Sequence, residues 1–439
     1  MAITRTDRSR WLLLALLSSS PLLPTPVQAQ EDVQRVSVAG RSRDDYDALG
    51  IRLGSITLKP SVGFNVALDD NIYAQEVNQQ RDAILTLSPS LVVQQKSPIA
   101  TAELEVSANL ERYMDQGSEN SDDGFARGSV RIRPDPTLQL TSDFNLVRRA
   151  EDRRNLGSFT LAPTPVRFTS VESQVGAEKA LGSLRFGLSG RVRRASYNSG
   201  TAPDGTGIDY SFRNFNIYQG TARVGFSRTG SSQLYLAGTY NRRLYDQRPG
   251  DPNFDPLTRF DRTSSGYRIE LGYNRQVSAL LFFMGQIGYL RQDFADSRLR
   301  DIQGLSFSGN LLYNFTPLTS VTARASRTLD ETVTPLAAGN LRSEVAVRVD
   351  HELLRNLIVS ADVRYADIQP SDVTEGADAA DLLRFARQSQ EFETGASARY
   401  LLSRKITIDG DIRYRSRSSS DPTIGFNNFV AMLGIRYGL

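Results

Sequence analysis

The chain has 439 residues, a formal charge of +3 at pH 7 and no cysteine. The missing thiols exclude a disulfide scaffold and an anchor through a lipidated amino-terminal Cys, and they suit passage through an oxidising compartment. Mean hydropathy is −0.35, and beyond the amino-terminal segment no run approaches the ~18 apolar residues a spanning helix requires. A pI near 9.0 does not point to nucleic acid, because without residues 1–29 the net charge is only +1 (+3 − 2).

In chain order, Arg5, Arg8 and Arg10 precede the apolar run Trp11–Leu17, and Val27-Gln28-Ala29 supplies small-residue cleavage chemistry. Residues 1–29 read as a secretory signal peptide, which makes Gln30 the first mature residue and removes a net two positive charges. Residues 30–50 are polar and lack alternation, and they read as a periplasmic lead-in partly ordered in a barrel mouth. From residue 51 to 439 the chain alternates. Ala102, Leu104, Val106, Ala108 and Leu110 are separated by Glu103, Glu105, Ser107 and Asn109, with Glu111 next. Ala126, Gly128, Val130 and Ile132 alternate with Arg127, Ser129, Arg131 and Arg133. Leu184, Phe186, Leu188 and Val192 alternate with Arg185, Ser189 and Arg191, and Arg193 follows. Leu341, Val345, Val347 and Val349 stand against Arg342, Glu344, Arg348 and Asp350. Ile406, Ile408 and Ile412 stand against Asp409, Asp411, Arg413 and Arg415. A strand sends alternate side chains to opposite faces, so each segment carries one apolar and one polar face.

Eight short turns, near Lys96–Ile99 and Pro134–Pro136 for example, alternate with nine long polar stretches such as Ala74–Arg81, Met114–Asp123 and Ala150–Arg167. That rhythm predicts an all-β, single antiparallel transmembrane barrel of about eighteen strands, with sixteen as the alternative. An even strand number puts both termini on the periplasmic side. Tyr113, Tyr197, Tyr240 and Phe294 are expected in an outer aromatic belt, and Phe226, Tyr273, Phe315, Tyr400 and Tyr437 in an inner one. At the carboxy end Phe429, Ala431, Leu433, Ile435, Tyr437 and Leu439 occupy every second position. This stretch resembles the terminal assembly signal of bacterial outer-membrane barrels, although Leu439 stands where an aromatic is usual. The resemblance implies a Gram-negative outer membrane, with its lipid, lipopolysaccharide and barrel-assembly machinery as partners.

A narrower resemblance lies near the start of the barrel. Arg41-Ser-Arg-Asp-Asp-Tyr-Asp-Ala-Leu-Gly50, Leu58-Lys-Pro-Ser61 and Leu68-Asp-Asp-Asn-Ile-Tyr73 are similar to the opening of the outer-membrane β-barrel porins of type 2. Members of that family often accompany exopolysaccharide synthesis and export. The resemblance therefore implies a channel tied to polysaccharide export components, and it implies no catalytic residue.

Of the 52 basic residues only Lys59, Lys96, Lys179 and Lys405 are lysines. Arg127, Arg131, Arg133, Arg185, Arg191, Arg193, Arg324, Arg348, Arg364, Arg413 and Arg415 fall at polar strand positions with Glu103 and Glu105, and are expected to line the lumen. One reading is an anion path, since guanidinium forks suit carboxylate and phosphate. The other is cross-strand pairing: Glu103, Glu105 and Glu111 with the Arg-rich strand after them, Glu172 and Glu178 with Arg185–Arg193, and Asp362 with Arg348. The single histidine, His351, builds no triad, and no enzyme, cofactor or metal centre is expected. Glu119–Gly124 and Asp69-Asp70-Asn71 have oxygens spaced for a cation, but a solvated loop and an Asx turn account for them. The function expected is a conduit for exopolysaccharide. A diffusion porin for small or anionic solutes and an occluded surface-interaction barrel are the alternatives.

Overall fold

In the computed structural model, residues 36–155, 164–201, 205–227, 231–255, 260–330, 339–370, 388–419 and 424–439 are described. The expected signal peptide lies outside them. Eighteen long strands form the wall. The first seven are β1 (Ile56–Asp69), β2 (Asp82–Lys96), β3 (Ala100–Tyr113), β4 (Ser121–Asp135), β5 (Leu138–Ala150), β6 (Arg167–Leu181) and β7 (Leu184–Tyr197). Next come β8 (Phe215–Phe226), β9 (Ser232–Tyr245), β10 (Ser264–Gln276), β11 (Leu281–Phe294), β12 (Ile302–Thr316) and β13 (Thr319–Asp330). The last five are β14 (Asn340–Leu354), β15 (Leu357–Pro370), β16 (Ser389–Leu401), β17 (Ile406–Ser419) and β18 (Phe426–Gly438). Each pairs antiparallel with the next, and β18 returns to β1, from Ser61↔Gly438 to Asp69↔Val430. Closure leaves no free edge, as a wall in hydrocarbon demands.

Period-2 patterning decides which way each side chain faces. Leu188 is 68% exposed and Leu433 65%, while their sequence neighbours Gly187, Ser189, Met432 and Gly434 lie on the other face, half-buried or buried. The exposed aliphatic face has no protein cover and suits lipid. Phe226, Phe315, Tyr400 and Tyr437 are exposed on that face near the short turns, as expected, and Tyr240 is exposed near the long loops. Three belt assignments are corrected. Tyr113 shares the inward parity of Glu111, Tyr197 packs on the buried Ala195–Phe215–Tyr245 cluster, and Phe294 packs on Phe260, Leu290, Leu299 and Ile302. Nearness to a strand end does not fix the face; parity does.

Several turns are two residues long: Pro136–Thr137, Gly182–Ser183, Pro317–Leu318 and Arg355–Asn356. Gly182 takes φ +59°, a conformation glycine adopts without strain. At the same end, residues 36–50 fold into the mouth. Val38 is fully buried and its N–H donates to Ser320 Oγ at 2.8 Å. Arg41 donates to Asn314 Oδ1 at 3.0 Å and to the Pro317 carbonyl, and Arg43 meets Glu352 at 2.8 Å. These partners sit on β12–β14 and the turn between them, far around the wall from β1, so the lead-in spans a chord of the opening. It rejoins the wall at Gly50, whose φ of +74° and approach to the Leu58 carbonyl leave no room for a side chain (2.6 Å from an added Cβ). That is a physical reason for the Leu-Gly pair in the opening motif.

The Asp-Asp-Asn motif clasps the seam where the barrel closes. Asp69 Oδ1 accepts the Asn71 N–H at 2.9 Å, the expected Asx turn, and Asn428 Nδ2 at 2.6 Å. Asp70 Oδ1 accepts the Phe429 N–H at 2.7 Å, and Asn71 Nδ2 donates to the Asn427 carbonyl at 2.7 Å. Asp70→Ala should therefore lower the stability of the refolded barrel by about 0.5–1.5 kcal/mol, the usual net worth of a hydrogen bond. Urea unfolding in lipid vesicles measures it, and an unchanged midpoint would deny the clasp any share in closure.

Candidate functional site in the barrel lumen

The thirteen side chains expected in the lumen all occupy the strand face opposite the exposed apolar residues. Their neighbours depend on register. On β14–β17 they join an unbroken chain of alternating charge. Arg417 meets Glu391 at 2.6 Å, and Glu391 meets Arg342 at 2.8 Å. Arg342 meets Glu344 at 3.1 Å, and Glu344 meets Arg364 at 3.6 Å. Arg364 and Arg413 both bond Glu393, with Arg415 Nε 3.4 Å from it. Arg413 meets Asp362 at 3.1 Å, Asp362 lies 3.8 Å from Arg348, and Arg348 meets Asp350 at 2.7 Å. The Asp362–Arg348 pair named from the sequence exists, but Arg413 is the closer partner. Glu344, Glu391, Glu393, Arg342 and Arg417 complete the ladder, and strand parity alone could have placed them.

The other pairings are mixed. Glu178 meets Arg223 at 2.9 Å and Arg185 at 3.6 Å, and Glu172 lies 3.8 Å from Arg191. Glu105 stands directly across from Arg127 in register, whereas Glu103 faces Ser129 and bonds Gln94 at 2.7 Å. Glu111 faces Ser121, not an arginine. Asp143 pairs with Ser129 and so lies diagonally between Arg127 and Arg131. Arg324 sits across from Asn310 on one side and Ala346 on the other. Arg133 bonds Gln139 at 3.2 Å. Arg193 Nε donates to Ser170 at 3.3 Å. His351 bonds Thr319 Oγ1 through Nδ1 at 2.9 Å on the outer face.

At the loop end the sequence reading is corrected most. Met114, Asp115, Gly117 and Ser118 are exposed as a polar loop should be, but Glu119 and the described residues after Ala150 are drawn inward. Residues Glu151–Asn155 turn inward across the mouth. Glu151 holds Arg213 in a two-pronged bond of 2.5 and 2.9 Å, and Arg153 forks onto Glu119 at 2.7 and 3.1 Å. Arg154 Nη1 reaches Asp69 and Asn428, both at 3.0 Å, while its carbonyl accepts from Arg417. Asp152 Oδ1 accepts the Arg154 N–H and Nε, both at 2.9 Å. The segment leaves the wall at β5 and ends on β1, β17 and β18, bridging the strands between. Asp69 and Glu119, considered as cation ligands, are committed to these arginines. Among the described residues no group of His, Cys, Asp and Glu could hold a metal ion.

A protein-family model described as "Putative beta-barrel porin 2" matches residues 44–438, far beyond the opening motif. No curated protein matches the chain. Among solved structures, the siderophore receptor PiuA from Acinetobacter baumannii is 9% identical, with 92% of this chain and 85% of that one covered and a TM-score of 0.46. OccK2 (OpdF) of Pseudomonas aeruginosa is 11% identical, covering 88% and 97% at a TM-score of 0.43. OprD of the same organism is 10% identical, covering 90% and 98% at 0.42. At such values nothing about cargo or mechanism is drawn from them.

Burial alone would raise the Asp152 carboxyl, but Arg154 and Arg415 outweigh it and hold the group at about 2, below its ordinary 3.8. A depressed carboxylate stabilises the fold above its unfolded value and loses that contribution as pH falls through the folded one. A displacement of this size is worth about 2 kcal/mol, present above about pH 4 and lost towards pH 2. Channel current should therefore be steady near neutrality and flicker in that acid window; a trace equally quiet at both ends would disprove the tether. Arg154→Ala deprives Asp69 and Asp152 of their shared cation, a loss of about 3–5 kcal/mol for a buried pair. Larger conductance steps than in the unaltered protein are expected from it.

Proposed function

We propose that this chain, which belongs to the family described as "Putative beta-barrel porin 2", is a passive diffusion channel for small hydrophilic solutes, with anions favoured. It is an outer-membrane β-barrel of porin type, and the proposal concerns what its lumen does. The observation that carries the reading is the continuous charged ladder on the inner face, from Arg417 to Asp350. Ions taken out of water cost several kcal/mol each even when paired, so a wall this densely charged is at home against water rather than in a dry core. Anion preference is ascribed to lumen-facing arginines beyond the ladder, Arg127 and Arg131 among them, since rings of such groups favour anions in a pore. No covalent chemistry is invoked. The short turns and both termini are assigned to the periplasm, with the long loops outside.

Polysaccharide export, expected from the family resemblance, draws no support from the fold. The inward Glu151–Asn155 segment at one mouth and residues 36–50 at the other both reduce the opening, which suits small solutes better than a polymer.

The test is the reversal potential of the refolded barrel across a potassium chloride gradient in a planar bilayer. An anion-selective current is expected. In the double variant Arg127→Ser, Arg131→Ser the potential should move towards cation preference, because Glu105 and Asp143 then face the pore without their opposing charge. A silent barrel would overturn the channel, and an unmoved potential would overturn the role of the lumen arginines.

A further inference from the structure

The lipid-facing side of the wall carries charge of its own at one rim. On β3–β6 the outward positions nearest the long loops hold Arg112, Arg148 and Arg167, all exposed. Parity fixes their direction. Arg112 shares the face of Leu104 and Val106, Arg148 that of Phe144, and Arg167 that of Val175, which is 60% exposed. The ten positions from Leu138 to Arg148 climb about 25 Å in a strand tilted by about 40°, which is the height of the apolar band of such a barrel. Arg148 therefore stands where hydrocarbon gives way to head groups.

Acid is scarce on this face. Asp122 is the single carboxylate on the outward positions of β3–β6, and it meets Arg112 at 2.8 Å. Asp123, its neighbour, has the inward parity and accepts the Ala150 N–H at 3.0 Å. Arg148 forms no hydrogen bond or ion pair with any described residue. Arg167 donates to the neutral Asn120 carbonyl at 3.2 Å. Register makes these two diagonal neighbours, since Arg148 lies across from Thr169 and Arg167 across from Ala150. Such positions are roughly 7–8 Å apart, within reach of two long side chains that share one anion. On the other side of Arg148 lies Gly124, where an added Cβ would meet nothing within 4 Å, so the space beside the guanidinium is open. Thr169 and Ser196 continue the row with hydroxyl groups.

We propose that Arg148 and Arg167, with Arg112 beside them, clamp the phosphate groups of a glycolipid in the outer leaflet. Guanidinium forks match phosphate oxygens two at a time, and basic side chains just outside an apolar band attract anionic head groups. The exposed aliphatic side chains directly below the arginines would take the acyl chains of the same molecule. At the loop end of β14–β18 the outward positions are Ser343, Asp367, Gln390, Ser416 and Asn427, so the clamp belongs to one sector of the wall. It is independent of the channel and rests only on the long loops lying outside.

Native mass spectrometry of the refolded barrel, released from neutral detergent, reads the clamp without any conductance. Bisphosphorylated lipid A is expected to stay bound, and lipid A stripped of its phosphates to bind roughly tenfold more weakly, the loss expected when charge-assisted bonds are removed. The double variant Arg148→Gln, Arg167→Gln should lose that preference, while Arg355→Gln, in a short turn at the other rim, should keep it. Should the double variant fail to refold by gel mobility, Arg148→Gln alone takes its place, because Arg148 holds no partner in the fold. Equal binding of the two lipids, or an unchanged preference in the variant, overturns the clamp. Displacement of lipid A by equimolar inorganic phosphate would make the ligand the free ion and overturn the glycolipid. The chain has no native cysteine, so Met114→Cys, exposed in the loop after Arg112, tests the orientation separately. Labelling by an impermeant maleimide on intact cells is expected, and labelling only after lysis would overturn an outer-leaflet ligand.

Discussion

Everything in this molecule follows from the need to pair backbone amides where no water can do so. A wall of strands that closes on itself meets that need, and its closure is the junction of β18 with β1. The junction is therefore the point at which the fold is completed, and the chain places a cluster of side-chain hydrogen bonds there. Asp69, Asp70, Asn71 and Asn428 hold the loop-end corner of the seam. Arg154, arriving from another part of the barrel, binds the same Asp69 and Asn428. Closure of the wall and narrowing of the mouth thus share residues.

Closure also divides the chemistry in two. Because alternate side chains face opposite ways, a strand cannot be apolar towards lipid without freeing its other face for something else. Here that face is filled with arginine and carboxylate. An isolated inward charge would be costly, and a neighbour of opposite sign two strands away repays part of that cost only when register brings them together. The ladder from Arg417 to Asp350 does this across four strands.

Much of this was legible in the sequence, because the deciding signal is local. Alternation around Leu188 or Leu433 needs only a few neighbouring residues to be read, and the alternation of short and long connections led to the strand number found. The Asx turn at Asp69 was equally local. The misreadings all involve distance along the chain. Tyr113, Tyr197 and Phe294 were placed by strand end rather than by parity. Glu119 and Arg153 look like solvated loop residues until the fold brings them 2.7 Å apart, 34 positions from each other. Arg413 has its closest carboxylates on β15 and β16, which no spacing within its own strand reveals.

The distribution of pairing also bears on how such a lumen can select. A wall whose charges are neutralised pairwise is hydrophilic, but its field falls off quickly, since each guanidinium is cancelled by a carboxylate a few ångströms away. In salt, what remains is screened within roughly 8–10 Å. Preference for one sign of ion must then come from places where pairing is incomplete. The ladder on β14–β17 is suited to holding the bore open to water.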